Sequence, residues 1–195
     1  MERAELDRLF ECHKTWVETG GCRGKQISLD EEDLRCVDFV VAPIEQGFYS
    51  ACNFSGTVFS KIDFYLGKFY SCHFEHCVFC DCDFRKTTLD YSLFAHSEFK
   101  NCMFPRADAY ETDFRNCRFS CCSFVGFNLM NANLDGALIE SSDMDAAYFD
   151  AVSVNKTVFK NLAHVDSITH LSLLLTAENA IRTITDETAV KLLRG

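Results

Sequence analysis

Large apolar side chains return at every fifth position of the chain from Leu29 to Phe159. This register contains twenty-seven consecutive positions without an insertion, and sixteen of the nineteen phenylalanines occupy it. A period of five matches neither the 3.6 residues of a helical turn nor the alternation of a strand. The pattern therefore predicts a solenoid, in which every repeat turns the chain through a fixed angle.

Small residues stand two places before the large ones, as Cys52, Thr57 and Ala132 do. The residue between them and the two residues that follow are mostly polar or charged. A narrow tube needs small and large side chains in fixed alternation on its inside. The pattern therefore predicts which side chains point inward and which point to solvent.

Residues 132–136, with the sequence Ala-Asn-Leu-Asp-Gly, resemble the A-(D/N)-L-x-x unit of the pentapeptide-repeat proteins. The resemblance covers about two thirds of the chain. It implies an all-β solenoid, namely a right-handed quadrilateral β-helix of about seven coils with one pentapeptide on each side. In such a helix residues twenty apart stack, which would place Phe54, Phe74 and Phe94 in one column.

The sequence divides into three predicted parts. Residues 1–25 are expected to form an N-terminal capping helix and a Gly-rich turn, because apolar residues between Glu2 and Glu18 follow helical spacing. Residues 26–162 are the pentapeptide-repeat β-helix, with an irregular first coil around Pro43. Residues 163–195 are expected to form a helical cap, with one short helix from Asp166 through Leu175 and a last helix after Thr185 or Asp186.

Two residues break the alternation strongly within the regular coils. Ala109 is too small for its large position, and Phe127 is too large for its small position. Both fall on the same side in adjacent coils of a twenty-residue pitch. We therefore predict that the Phe127 ring points inward and fills the space that Ala109 leaves, since an empty core volume of this size would cost about 2–5 kcal/mol.

Twelve cysteines raise the question of disulfides or metal. Seven of them occupy the small inward position, where a reduced cysteine acts as a small hydrophobe. These seven are Cys52, Cys72, Cys77, Cys82, Cys102, Cys117 and Cys122. The spacing of Cys77 and Cys80 resembles half a zinc site, but the register places them on opposite sides of the wall. Structural thiols are the favoured interpretation, and a redox role for the outward Cys80 or Cys121 stays open.

The chain is acidic, with a formal net charge of −10, and one predicted side carries six acids against Lys68 alone. The same side carries four of the six tyrosines. Such a surface repels nucleic acid and attracts a basic protein surface, with tyrosines as anchors. The simpler alternative is that one side of an acidic protein must be the most acidic. The candidate partner-binding residues are Asp30, Glu31, Tyr70, Asp90, Tyr91, Asp108, Tyr110, Glu111, Tyr148 and Asp150.

Catalytic and cofactor sites are not expected from this sequence. It contains no glycine-rich phosphate loop and no recognisable set of catalytic residues, and a tube filled with phenylalanine leaves no cavity for a substrate. His76 and His96 lie twenty apart and should stack, but a third metal ligand is uncertain. No membrane span or signal-peptide pattern appears, and the many thiols suit a reducing, cytoplasmic environment.

The sequence therefore predicts a non-enzymatic interaction scaffold that presents an acidic, Tyr-bearing flat face to a basic partner protein. The family resemblance implies a more specific alternative. In this alternative the protein mimics DNA, binds DNA gyrase or topoisomerase IV, and modulates their inhibition or gives quinolone or toxin resistance. The resemblance also implies that the C-terminal tail could form a homodimer contact. Against DNA mimicry, the predicted charge is concentrated on one side, whereas DNA is charged all round.

Overall fold

The computed structural model describes residues 1–177 and 180–194. In these ranges it contains two α-helices, α1 (Arg3–Glu18) and α2 (Asp186–Arg194), and a 3-10 helix over Val165–Ser167. The strands are β1 (Ser28–Asp30), β2 (Phe48–Ser50), β3 (Val58–Ser60), β4 (Lys68–Tyr70), β5 (Val78–Cys80), β6 (Glu98–Lys100), β7 (Arg118–Ser120), β8 (Leu138–Glu140), β9 (Tyr148–Ser153), β10 (Val158–Lys160), β11 (His170–Ala177) and β12 (Ala180–Thr185). None of the described helices is both long enough and apolar enough to cross a membrane.

The strands of the solenoid pair in parallel with partners twenty residues away, as Phe59 does with Phe79. One side is a six-stranded sheet in the order β3-β5-β6-β7-β8-β10. The opposite side starts with β1, β2 and β4 and continues through single bridges to β9. Single bridges such as Asn53 to His73 and Asp63 to Asp83 join the other two sides at the same spacing. This register confirms the quadrilateral β-helix of about seven coils.

Columns of stacked phenylalanine rings fill the interior. The ring centroids of Phe54 and Phe74 lie 4.5 Å apart, and those of Phe74 and Phe94 lie 4.7 Å apart, with interplanar angles of 5° and 3°. Adjacent columns meet edge to face, as Phe59 and Phe64 do at 5.3 Å and 67°. Burial of each large side chain contributes roughly 1.5–3 kcal/mol before the loss of conformational entropy is subtracted. The stacked rings are therefore the main stabilising contribution.

Where an Asp or Asn precedes the large residue, its side chain can have a structural role at the corner. Asp83, Asp113 and Asn133 each accept a hydrogen bond of 2.9 Å from the backbone N–H two residues later. This is the arrangement of an Asx-turn, in which the side chain holds the chain in a tight bend. Carboxylates at this position are therefore needed by the fold whether or not a partner contacts them.

At several small positions the side chain supplies a hydrogen-bond donor as well as a small volume. The Cys77 thiol donates to the Phe54 carbonyl at 3.2 Å, and the Ser97 hydroxyl donates to the Phe74 carbonyl at 2.7 Å. Burial raises the pKa of Cys77 to about 12, so the thiol keeps its proton at neutral pH. The sequence analysis correctly placed these cysteines in the interior as small hydrophobes. It did not predict their hydrogen bonds.

From Gln46 onwards, the corner residue two places after each large residue adopts a left-handed backbone conformation. Most of these residues are not glycine, and their φ values include 50° at Ala51 and 64° at His96. A left-handed conformation costs a non-glycine residue roughly 1–2 kcal/mol. The N–H of Ala51 donates to the Tyr70 carbonyl at 2.9 Å, and that of His96 donates to the Arg115 carbonyl at 3.0 Å. Hydrogen bonds between coils therefore help to hold these strained corners.

The predicted inward position of Phe127 is confirmed. Its side chain is fully buried, and its ring centroid lies 4.9 Å from that of Phe104 and 6.4 Å from that of Phe114. Phe104 and Phe114 are the large residues on either side of Ala109 in the preceding coil. The ring therefore reaches into the coil in which Ala109 leaves space.

The predicted N-terminal helix is confirmed as α1, which packs on the first coil through Leu6, Phe10 and His13. The imidazole of His13 is fully buried and connects two segments of the solenoid. Its Nδ1 accepts a 3.2 Å hydrogen bond from the Ile27 N–H, which leaves the proton on Nε2 for the Glu45 carbonyl at 2.8 Å. Burial lowers the pKa of His13, consistent with this neutral form.

The prediction of a helix from Asp166 through Leu175 is wrong. This segment forms the 3-10 helix Val165–Ser167 and then β11, which pairs in parallel with β9 and antiparallel with β12. The last coil presents unpaired backbone groups on its outer edge, and an apolar segment satisfies them better as a strand than as a helix. The predicted last helix is confirmed as α2, which starts at Asp186.

The packing of Phe127 above Ala109 can be tested by a double-mutant cycle. We expect Ala109→Leu alone to overpack the core and to lower the free energy of unfolding by about 1–3 kcal/mol. Phe127→Ala alone should lower it by about 3–5 kcal/mol, because it leaves a cavity. Together the two changes restore the regular alternation of small and large residues. The double variant should therefore lose clearly less stability than the sum of the two single losses. Urea unfolding followed by circular dichroism measures all four free energies. Additive losses would show that the two side chains do not share one space.

Candidate partner-binding surface

The candidate residues lie on the side of the tube whose interior positions include Leu29, Phe69 and Ala109. Neighbours of an inward residue on a strand point outward, and the corner residue that follows is exposed. Together the ten candidates form what we call the acidic face. Its residues are Asp30, Glu31, Tyr70, Asp90, Tyr91, Asp108, Tyr110, Glu111, Tyr148 and Asp150.

Five of these residues form a continuous cluster in the middle of the acidic face. The rings of Tyr91 and Tyr110 meet edge to face, with their centroids 5.4 Å apart. The Asp90 carboxylate accepts a hydrogen bond of 3.0 Å from the Tyr110 N–H. The Asp108 carboxylate accepts one of 3.1 Å from the Asn128 side chain. Glu111 occupies the exposed corner beside Tyr110, with a φ of 51°.

The cluster carries the three carboxylates of Asp90, Asp108 and Glu111. Among the described residues, no Lys or Arg forms an ion pair with any of these acids. On other sides Asp83 and Asp113 pair with Arg85 and Arg115, each at 2.6 Å. The acids of those sides are therefore partly compensated, whereas the cluster remains available to a basic surface.

Burial raises the pKa of Asp90, and the nearby Asp108 carboxylate raises it further. The hydrogen bond from the Tyr110 N–H acts in the opposite direction but is a weaker influence than burial. The neighbouring Glu111 carboxylate raises the pKa of the exposed Tyr110 phenol. Burial is the larger cause of the raised pKa of Asp90 and a hydrogen bond to Glu111 that of Tyr110, and the neighbouring negative charges act in the same direction.

The remaining candidates lie towards the two ends of the acidic face. Asp30 and Glu31 belong to the first coil, three coils and therefore roughly 14 Å away from Asp90. Tyr70 lies between them and the cluster, and its ring contacts that of Phe48 at 5.6 Å. The structure thus places all candidates on one side without bringing the N-terminal acids into the central cluster.

At the other end, sequence analysis missed His170 of β11. Its ring stacks on that of Tyr148 at 5.1 Å, and its Nε2 lies 3.3 Å from the Asp150 carboxylate. This contact was not predicted because the segment was expected to be a helix, whereas His170 lies beside Tyr148 through the pairing of β11 with β9. Tyr148 and Asp150 are therefore partly covered by the C-terminal segment.

The predicted stack of His76 and His96 is present, with centroids 5.2 Å apart. In the described residues, no group of three or more His, Cys, Asp or Glu side chains is arranged to hold a metal ion. Cys77 is buried and Cys80 is half-exposed, which agrees with the register, and Cys121 is exposed. A redox role for either outward thiol remains a hypothesis.

A family model for pentapeptide repeats matches residues 82–120 and 113–150 and contains eight copies of the unit. The same five-residue register continues on both sides of the matched segment and forms the same coils. Residues 82–150 of this chain therefore form pentapeptide repeats of this family. Members of this family are generally interaction or structural proteins without enzymatic activity. A search of curated proteins found no significant match.

Several solved structures of pentapeptide-repeat proteins are similar to this chain at low identity. QnrB1, a plasmid-mediated fluoroquinolone resistance protein, is 13% identical over 86% of this chain and 95% of its own, with a TM-score of 0.41. HetL from Nostoc sp. strain PCC 7120 is 14% identical over 84% and 94%, with a TM-score of 0.34. A thylakoid-lumen protein of Arabidopsis thaliana is 14% identical over 53% of this chain and 61% of its own, with a TM-score of 0.37.

Asp90→Asn tests whether the acidic cluster is retained at a cost in stability. The amide oxygen of the substituted side chain can still accept the Tyr110 N–H, while the charge is lost. Since the pKa of folded Asp90 lies above its ordinary value of 3.8, ionisation as the pH rises destabilises the fold. We expect the variant to be more stable than wild type at pH 7, and the difference to disappear at pH 3.

Urea unfolding at the two pH values measures this difference. Asp30→Asn serves as the control, because its carboxylate is exposed on the same side and accepts no hydrogen bond that the described structure records. A variant that is less stable than wild type at pH 7 would contradict this account of Asp90.

Proposed function

We propose that this pentapeptide-repeat protein is a non-enzymatic interaction scaffold whose acidic face binds a basic surface of a partner protein. The observation that supports this most is the cluster of Asp90, Asp108 and Glu111, which lies beside two contacting tyrosines without a Lys or Arg ion pair among the described residues. Charge attracts a basic surface over a distance, and exposed tyrosines contribute large contact areas at little entropic cost.

Half-burial of Asp90 supports the same proposal. A carboxylate whose pKa is raised by burial weakens the fold at neutral pH. An uncharged residue at this position would remove that cost. Contact with a cationic partner would turn the same carboxylate into a favourable interaction, because the partner compensates for its lost hydration.

A type II topoisomerase is the more specific candidate partner. The family resemblance and the net charge of −10 favour it, since acids on a rigid rod could occupy the basic groove that holds DNA. The charge distribution is less favourable, because Arg85 and Arg115 compensate acids on other sides. We therefore place the general scaffold first and DNA mimicry, with its modulation of inhibition, second.

The compartment and oligomeric state belong to the same proposal. A cytoplasmic location is proposed because all twelve cysteines are free and seven are buried as thiols. A homodimer through the C-terminal segment is proposed as an alternative arrangement, and β12 lies at the edge of its sheet with Ile181 71% exposed. Direct binding to nucleic acid or to a membrane is not proposed.

Site-specific photo-crosslinking in cells tests the choice of surface. A benzophenone amino acid at Tyr110 should give discrete protein adducts, and Asp90→Lys with Glu111→Lys should abolish them. The same probe at Lys100, on the opposite side, is the matched control and should give few adducts. Equal adducts from both positions, or adducts that survive the charge reversal, would contradict the acidic face as the binding surface.

The topoisomerase alternative is tested by supercoiling assays with DNA gyrase and topoisomerase IV. Titration of the protein with and without a quinolone should change either activity or inhibitor sensitivity if one of these enzymes is the partner. The charge-reversed variant should lose the effect. No change at micromolar protein would remove this alternative and leave the scaffold proposal intact.

A further inference from the structure

The first coil supplies no strand to pair with the outer edge of β3 in the described part of the chain. Residues that would form the preceding strand fold into a local turn, in which the N–H groups of Val41 and Ala42 both donate to the Asp38 carbonyl. The Asp38 carboxylate also accepts the Val40 N–H at 3.0 Å. As a result β3 is the terminal strand of the six-stranded sheet.

Backbone groups along this edge lack the partners that later coils possess. The Val78 N–H donates to the preceding coil at 3.1 Å, and the Cys80 carbonyl accepts from it at 2.8 Å. The equivalent groups of the edge strand are the Val58 N–H and the Ser60 carbonyl, and neither has a backbone partner in the described ranges. The Asp63 N–H, at the next corner, is also without one. The edge thus offers a ready set of donors and acceptors to an extended chain.

A groove of about 590 Å³ lies directly beside this edge. The C-terminal half of α1 forms one wall, the turn after Phe39 forms another, and residues 60–63 form the third. Val40 and Val41 line it and are 80% and 64% exposed. Phe39 itself stays in the core, with its ring 5.3 Å from that of Phe59, so the interior is closed although the edge is open.

The carboxylates of Glu45, which is half-buried, and of Asp63, which is exposed, give the groove its negative charge. No Lys or Arg of the described chain forms an ion pair with either of them. Lys14 and Lys61 also line the groove, but their side chains are exposed at its rim. Burial raises the pKa of both carboxylates, and Asp83 raises that of Asp63 further. A cationic side chain of a binding partner would therefore compensate the charge of both carboxylates.

We propose that this groove binds a short extended segment of a partner protein, which adds to β3 as a parallel strand. A Lys or Arg side chain of the segment lies against Glu45 and Asp63, and an apolar side chain covers Val40 and Val41. The parallel direction follows the missing strand of the first coil, because every other strand of this sheet pairs in parallel. Backbone hydrogen bonds supply affinity and the basic residue supplies selectivity, as in other cases of strand addition. This site is separate from the acidic face.

The test uses the full-length protein and a blocked peptide of sequence Val-Arg-Val-Lys-Val. Amide NMR titration should show saturable shifts at Val58, Ser60 and Asp63, since these groups gain hydrogen bonds. A peptide with N-methyl groups on alternate amides, which cannot pair as a strand, should bind at least about tenfold more weakly. A peptide in which both basic residues are changed to Glu should also bind at least about tenfold more weakly than the parent peptide.

Two protein variants separate this site from the acidic face. Glu45→Gln with Asp63→Asn should weaken the basic peptide by about tenfold, roughly the effect of losing one charge-assisted contact of 1.4 kcal/mol. Asp63→Asn keeps the acceptor for the Tyr65 N–H. Asp90→Lys with Glu111→Lys should leave binding unchanged.

Three results would overturn the proposal. The first is the absence of saturable shifts at the β3 amides with millimolar peptide. The second is equally strong binding of the N-methylated peptide. The third is a change of the β3 amides on dilution of the protein alone, which would mean that a second copy of the chain occupies the edge.

Discussion

Everything in this structure depends on how an interior of fixed width is filled. Each side of a coil brings in one large and one small side chain, and most of the large residues are phenylalanines, whose rings stack from one coil to the next. The stack of Phe54 and Phe74 at 4.5 Å is close to the spacing of adjacent strands, so rings and backbone repeat together. Side-chain packing and hydrogen bonding between coils therefore enforce the same twenty-residue pitch.

The outside of the tube inherits its organisation from this interior. Because the pitch is constant, outward residues twenty apart form columns, and small differences in composition between columns become surfaces of different charge. Asp83 and Asp113 show that an acid before a large residue serves the corner and pairs with an Arg two places later. Asp90 follows its large residue, is half-buried, and has no such Arg. Asp90 and Glu111 thus differ from these structural carboxylates in their position within the repeat, whereas Asp108 shares that position but has no Lys or Arg ion pair in the described part of the chain.

Much of the solenoid could be predicted from sequence, because a period that is repeated twenty-seven times leaves little freedom. The inward ring of Phe127 was predictable for the same reason, since only a twenty-residue pitch places it near Ala109. The strand β11 was not predictable, because an apolar segment outside the register has no period of its own and takes its form from the edge of β9. The open edge of β3 was also missed, since the local turn at Asp38 replaces a strand without changing the register.

Cysteine labelling tests the central claim, the twenty-residue pitch that assigns each side chain to the interior or to solvent. The native protein would be treated with iodoacetamide for increasing times and the modified residues identified by mass spectrometry. Rapid modification is expected at Cys12, Cys22, Cys36 and Cys121, and slower modification at the half-exposed Cys80. The seven thiols in the small position should react only after unfolding. Rapid labelling of Cys82, Cys102 and Cys122 in the native protein would contradict the assignment of inside and outside.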